Sequence, residues 1–366
     1  MSIFEPFTFS QSGKTALNRI ALAPMTNGQS NADGTLGEDE YLWLKRRAEE
    51  GFGILFTCAA HVTKDGQGWP GELGIWSDIH LEGLKRLSKG IQEHGSLAIM
   101  QLFHGGARSP ETITGKVPWS ASAHSMTFGE KNILVREGTE DEIHQIVDAF
   151  VLAAKRAYAA GMDGIELHGA HGYLLHQFIS NVTNQRSDEW GGSFENRIRL
   201  LVLILQRIKK EIPNKFLVGV RISPEDKYTF KGIDFDESLD LALILKKEGA
   251  DFLDISTWDS FAVPQKYPDS ARPVISWFRE RLGSEFPLFV AGEIWSAKEA
   301  EKAIELGADF VSLGRVAIGV ADWPKRAKVN SFTPKKPPYS ISELQDASLG
   351  EKFIHYMKKW KGFVED

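Results

Sequence analysis

Eight times along this chain a short apolar run, rich in β-branched and aromatic residues, precedes a longer segment of helical periodicity. The strand-like runs lie at 20–25, 53–57, 97–103, 164–168, 216–223, 251–256, 287–292 and 309–314. The helical patterns follow at about 38–50, 79–94, 140–160, 195–211, 236–248, 274–282, 296–306 and 316–328. Three of the turns share one phrase, GMDGIELHG, GADFLDIS and GADFVSLG, each reading as a helix end, a tight turn and a buried strand. Ser296 and Glu299 read as a capping box, and Gly161, Gly249 and Gly307 stand where helices stop. Strands that are apolar throughout belong to a sheet covered on both faces. Eight such units favour a closed barrel over an open, doubly wound sheet. The predicted fold is therefore α/β, a (β/α)8 TIM barrel over residues 1–330.

Three regions fall outside the repeat. Residues 4–18 alternate around Gln11–Lys14 and are expected to form an N-terminal hairpin that closes the barrel floor. The third strand and third helix are separated by a long insertion with strand character at Lys131–Glu137. Beyond the barrel, residues 331–366 form a Pro-rich linker, FTPKKPPYS, and a last helix around 341–359. This helical tail is expected to pack on the barrel or on a partner subunit.

With 42% apolar residues, 22 Phe and 10 Trp among 366, the chain can fill so large a core. Its 43 Lys and Arg against 49 Asp and Glu give a net charge of −6, which argues against a dedicated nucleic-acid binder. One cysteine, Cys58, excludes an intrachain disulfide, a Cys-based zinc site and a cysteine-ligated iron–sulfur cluster. The opening MSIFEPFTFS lacks a basic stretch followed by an apolar run, and no apolar run approaches the ~20 residues of a membrane span. The expectation is a cytoplasmic protein that does not engage membranes; homo-oligomerisation is left open.

In a barrel of this kind, chemistry sits at the C-terminal ends of the strands. Those ends carry Pro24-Met25-Thr26, Thr57-Cys58, Gln101, His168 with the following GAHGY, Arg221, Gly292 and Gly314-Arg315. His168 and His171 are open to three readings: metal ligands, structural histidines, or paired donors to one carbonyl or anionic oxygen. No third metal ligand can be placed beside them, and no metal is expected. Tyr173, on the same loop, holds its proton at neutral pH and is either a proton donor or a packed aromatic. Two glycines at the ends of strands seven and eight, with Arg315, suit a phosphate; turn geometry alone also explains single glycines. Arg221 in an apolar interior requires an electron-rich ligand or a carboxylate.

The ordered motifs NRIALAPMT (18–26), GIWSDIHLEGLKRL (74–87), QLFHGGAR (101–108) and HGAHGYLLHQFIS (168–180) carry a resemblance. They continue as NQRSDEWGGSFENR (184–197), VGVRISP (218–224), VAGEI (290–294) and SLGR (312–315). Together they resemble the old yellow enzyme family of FMN-dependent NAD(P)H:flavin oxidoreductases and ene-reductases. The resemblance implies that Pro24, Met25 and Thr26 line the isoalloxazine, with the backbone at Cys58 approaching the same edge. It places Gln101 and Arg221 at the pyrimidine edge, and Gly292, Glu293, Gly314 and Arg315 at the phosphate. His168 and His171 would hold a substrate oxygen and Tyr173 would give the proton. NADH or NADPH would be the reductant, and a small electron-poor alkene the substrate. Glu293 stands where many relatives carry a second glycine or a neutral residue, so its side chain is expected to turn away from the phosphate. HGGAR is one residue longer than the family's HxGR, which leaves Arg108 without an assigned role. A flavin-free barrel lyase or isomerase acting on a phosphorylated molecule is the rival reading, because the phosphate signal alone fits both.

Overall fold

The computed structural model describes residues 2–128, 131–226, 232–329 and 331–365. Eight parallel strands form the centre: β1 (Ile20–Leu22), β2 (Ile54–Phe56), β3 (Leu97–Phe103), β4 (Gly164–Gly169), β5 (Leu217–Ile222), β6 (Phe252–Ser256), β7 (Leu288–Ala291) and β8 (Phe310–Leu313). Each pairs with the next, and β8 pairs with β1, so the sheet closes. Between and after them run α1 (Glu38–Glu49), α2 (Leu81–Gln92), α3 (Glu140–Ala159), α4 (Phe194–Glu211), α5 (Phe235–Lys247), α6 (Val274–Leu282), α7 (Ala297–Glu305) and α8 (Arg315–Gly319). The eightfold alternation is thus a (β/α)8 barrel, as the periodicity requires. No helix among the described residues is long and apolar enough to cross a membrane.

Local signals account for the helix limits. Ser296 caps α7 in a reciprocal capping box with Glu299, and Thr139 does the same for α3 with Glu142. The inner stripe of α3, from Ile143 through Val147, Phe150 and Ala154 to Ala157, repeats every three or four residues and is buried against the sheet. Gly161, Gly249 and Gly307 take the positive φ that ends α3, α5 and α7.

The barrel floor is a separate aromatic layer. Phe56, Phe252, Phe289 and Phe310 point inward, with Phe289 and Phe310 stacked 4.2 Å apart. An antiparallel hairpin of Phe7–Thr8 and Thr15–Ala16 lies beneath and stacks Phe9 on Phe310. Gly219 on β5 makes room for this layer: a Cβ there would fall 2.1 Å from the Phe252 ring. Burying each such ring stabilises the fold by about 1.5–3 kcal/mol, and the plug leaves only the opposite end of the barrel for a ligand.

In the insertion, Lys131–Glu137 pairs antiparallel with His124–Phe128 and parallel with Trp119–Ser120. Two helical expectations are corrected. The pattern over 316–328 is not one helix: α8 stops at Gly319 and a short helix restarts at Trp323–Arg326. Pro324 supplies no amide hydrogen to bridge the gap, and the Tyr339 ring lies 2.3 Å from where a Cβ of Gly319 would stand. The helix over 341–359 is likewise two, α9 (Ile341–Asp346) and α10 (Glu351–Met357). Between them Ser348 has φ 63, and the Gly350 amide is drawn to Gln29 Oε1 at 2.8 Å. Arg47, wholly buried on α1, donates to the carbonyls of Ala317, Ile318 and Ala347. One guanidinium therefore ties α1, α8 and the end of α9 together, and α10 is directed over the barrel mouth.

Candidate active site

Among the described residues, two adjoining cavities at the mouth share part of their lining. The first, of about 410 Å3, runs from His171, Arg221 and Ser256 to Gly292, Gly314 and Arg315. The second, of about 830 Å3, opens over the loops after β1 to β3. Arg108, Tyr173 and Tyr356 line both and stand at the junction.

Strand register gathers the inward polar side chains into one layer. Gln101 on β3 lies beside Glu166 on β4, and Arg221 on β5 beside Asp254 on β6. Gln101 donates from Nε2 to Glu166 Oε1 at 2.7 Å, which leaves its Oε1 as the acceptor end. Arg221 Nε lies 3.4 Å from Asp254 Oδ2, so the carboxylate partner a buried arginine needs is present. Glu166 and Asp254 are themselves in hydrogen-bond contact, and two carboxyls this close cannot both ionise. Burial pushes the Glu166 carboxyl well up, and the Asp254 charge adds to that.

Above this layer the end of β4 and the turn after it set three groups. His171 takes φ 61, followed by Gly172 at φ 72, and this reversal folds the loop back over the strand end. His171 Nε2 lies 2.7 Å from Ser256 Oγ, which also accepts from Arg221 at 3.2 Å. The Ala170 amide donates to His168 Nδ1 at 3.3 Å, so the His168 proton sits on Nε2. Burial, then neighbouring cationic groups, holds both imidazoles well below the usual histidine range. Both are neutral at pH 7 and can donate hydrogen bonds without acting as acids. Tyr173 packs edge-on against Phe103, 4.5 Å away, and His168, 5.0 Å away, beneath the Arg108 guanidinium at 4.4 Å. Burial raises its pKa and keeps its proton in place.

At the far end, Gly292 has φ 151, and a Cβ there would fall 2.3 Å from the Thr257 carbonyl oxygen. Only glycine allows that approach. Glu293, expected to turn away from a phosphate, is held by its neighbours: its Oε1 accepts from Arg315 at 2.6 Å and its Oε2 from Trp295 at 3.0 Å. Adjacent strand ends carry opposite charges, and the two pair.

Met25 lines the first cavity and Thr26 the second, whereas Pro24 lines neither. Cys58, Gln101 and His168 are buried and line neither cavity themselves, but the His168 ring touches the cavity-lining rings of His171, 5.1 Å away, and Tyr173, 5.0 Å away. Burial raises the Cys58 thiol pKa well above its ordinary value, which leaves it a packing group. Sequence reasoning missed Tyr356 and Trp360, which line the first cavity from beyond the barrel. It also missed Glu166 and Asp254, although a charge inside GIELHG and FLDIS was a readable sign.

The profile of the "NADH:flavin oxidoreductase / NADH oxidase family" matches residues 2–333. The chain belongs to this family. Among curated relatives, "Probable NADH-dependent flavin oxidoreductase YqiG" of Bacillus subtilis (strain 168) is 39% identical over 330 residues, covering 89% of this chain and 87% of that protein. An NADPH dehydrogenase of Clostridium acetobutylicum is 37% identical over 86% of this chain and 91% of its own length. Among solved structures, the old yellow enzyme homologue of Zymomonas mobilis superposes with a TM-score of 0.81 at 30% identity, covering 94% and 96% of the two chains. Membership makes the protein an FMN-dependent NAD(P)H oxidoreductase and sets the flavin-free lyase aside.

The first cavity suits FMN on its own evidence. Ser312 Oγ is buried at its floor without a hydrogen-bond partner, the Arg221 guanidinium lines it with Nε turned to Asp254, and Gln101, in the same inward layer, keeps Oε1 as an acceptor. These donors and acceptors match an electron-rich ring edge bearing one imide N–H.

Proposed function

We propose that the enzyme reduces an activated alkene, such as an enone, enal or nitroalkene, with NAD(P)H as the source of electrons. The observation that carries this reading is the cluster of His168 at the end of β4 with His171 and Tyr173 on the turn after it, whose rings lie 5.1 and 5.0 Å from that of His168, two neutral donors beside one protonated phenol. FMN, when bound, would supply the hydride chemistry that links the nicotinamide to the β-carbon of the alkene. The chain's own residues do the rest. His168 and His171 hold the carbonyl or nitro oxygen and stabilise the negative charge that develops there. Tyr173 gives its hydroxyl proton to the α-carbon. Gln101 and Arg221 hold the ring edge, and positive charge at Arg221 favours electron density on that edge. The backbone at Gly292 and Gly314, with Arg315, holds the phosphate.

The test is anaerobic. The FMN-loaded protein is reduced with NADH or NADPH and then mixed with a cyclic enone in deuterated water. The expected product is the saturated ketone with deuterium at the α-carbon. Reoxidation by the enone no faster than by the matching saturated ketone would sink the proposal.

The anchor has its own expected result. Arg315→Ala weakens FMN about tenfold and leaves riboflavin nearly unchanged, because only FMN carries a phosphate for the guanidinium to meet. Glu293→Gln acts in the opposite sense and tightens FMN, since it removes a carboxylate that competes for Arg315. Quenching of flavin fluorescence in equilibrium titrations reads both. Equal losses for the two flavins in Arg315→Ala would place the phosphate elsewhere.

A further inference from the structure

The second cavity is twice the volume of the first and exceeds what a small enone needs. Its chemistry is two-sided. Trp69, Pro70, Pro110 and Ile113 make an apolar wall from the loops after β2 and β3. Opposite stands one face of α10 and the turn beyond it, with Lys352, His355, Tyr356 and Lys359 at spacings of three, four and seven. Arg108 adds a third fixed positive charge at the junction, and Glu351 is the one carboxylate that lines this chamber among the described residues. The chamber is thus net positive in a chain whose formal charge is −6. A local reversal of sign beside an aromatic wall is what an anionic ligand with a flat ring requires.

We propose that this chamber binds a diphosphate-linked nucleoside tail, with Lys352 and Lys359 on the phosphates and Trp69 against the purine, while the molecule's reactive head reaches past Arg108 and Tyr356 into the first cavity. Compact ammonium groups on flexible stems suit phosphates whose exact placement is not fixed. Two molecules share that tail: the nicotinamide dinucleotide that reduces the enzyme, and an acyl-coenzyme A thioester that would reoxidise it. The first source rests only on the family's NAD(P)H chemistry, and the second on the alkene reading above. The inference and that reading therefore fail separately.

The experiment uses the FMN-loaded full chain and its Lys352→Glu/Lys359→Glu variant. Both lysines are exposed on the surface, so the substitutions do not touch the core. ADP-ribose and coenzyme A are titrated by calorimetry. Flavin reduction is followed by stopped flow with NADH and with reduced nicotinamide mononucleotide, which has the head without the adenylate tail. ADP-ribose is expected to bind the natural chain and to bind the variant about tenfold more weakly. Half-saturation by NADH rises by a similar factor at unchanged limiting rate, while the mononucleotide behaves alike in both proteins. Binding of ADP-ribose without coenzyme A assigns the chamber to the reductant, and the reverse assigns it to a thioester. The proposal is overturned if neither probe binds, if the variant binds them as well as the natural chain does, or if NADH and the mononucleotide lose affinity equally.

Discussion

Tyr173→Phe is expected to leave reduction of the flavin by NAD(P)H near its natural rate and to slow reoxidation by a cyclic enone by about 10²–10³-fold. The substitution removes one hydroxyl and keeps the ring, so the edge contacts to Phe103 and His168 and the Arg108 guanidinium above it persist. The reductive step needs no proton from this group. The oxidative step does, and burial holds that proton on the phenol at neutral pH. Nitroalkenes should be the least affected, because the nitronate they form is stable enough to leave and take its proton from water. Stopped-flow traces of the two half-reactions, with product analysis, decide the matter. Loss confined to the reductive half would remove Tyr173 from the role given to it.

The second large effect belongs to the histidines. His168→Ala and His171→Ala should each lower enone turnover by about 10²–10³-fold, the cost of one missing donor to a developing oxyanion. Binding of FMN should survive both. His171→Asn should recover much of the loss, since asparagine tolerates the left-handed backbone at φ 61 and still offers an N–H donor. The pH profile is a second check. With both imidazoles held neutral far below the ordinary histidine range, enone turnover should show no inflection near pH ~6.5. Protonation would add charge only well below that value. An inflection near 6.5 that disappears in either alanine variant would show that the ring titrates freely and is not desolvated as described.

Much of this was legible from the residues. Buried strands of a closed barrel are apolar throughout, so β3 could be read to its bounds at Leu97–Phe103, and the capping box at Ser296 marks the start of α7. The strand-end residues of the mouth followed from the same alternation. What escaped was set by tertiary contact. Helical periodicity runs on through residues 316–328 and 341–359, and only the ring of Tyr339, the imide nitrogen of Pro324 and the pull of Gln29 on Gly350 break it. Tyr356 escaped for the same reason, since nothing local says that α10 returns to the mouth. The pairing of Glu293 with Arg315 joins two strand ends 22 positions apart, beyond the reach of any local pattern.

Arg47 gives the tail a hold that dissolved ions cannot loosen. Its guanidinium is fully buried, and its contacts run to carbonyl oxygens of Trp43, Ala317, Ile318 and Ala347 where counter-ions do not penetrate. Lys352 and Lys359 lie at the surface, within reach of the ionic atmosphere. Ionic strength therefore acts on the two in different ways: it screens the attraction of the chamber for a charged tail and leaves the wall of the chamber standing.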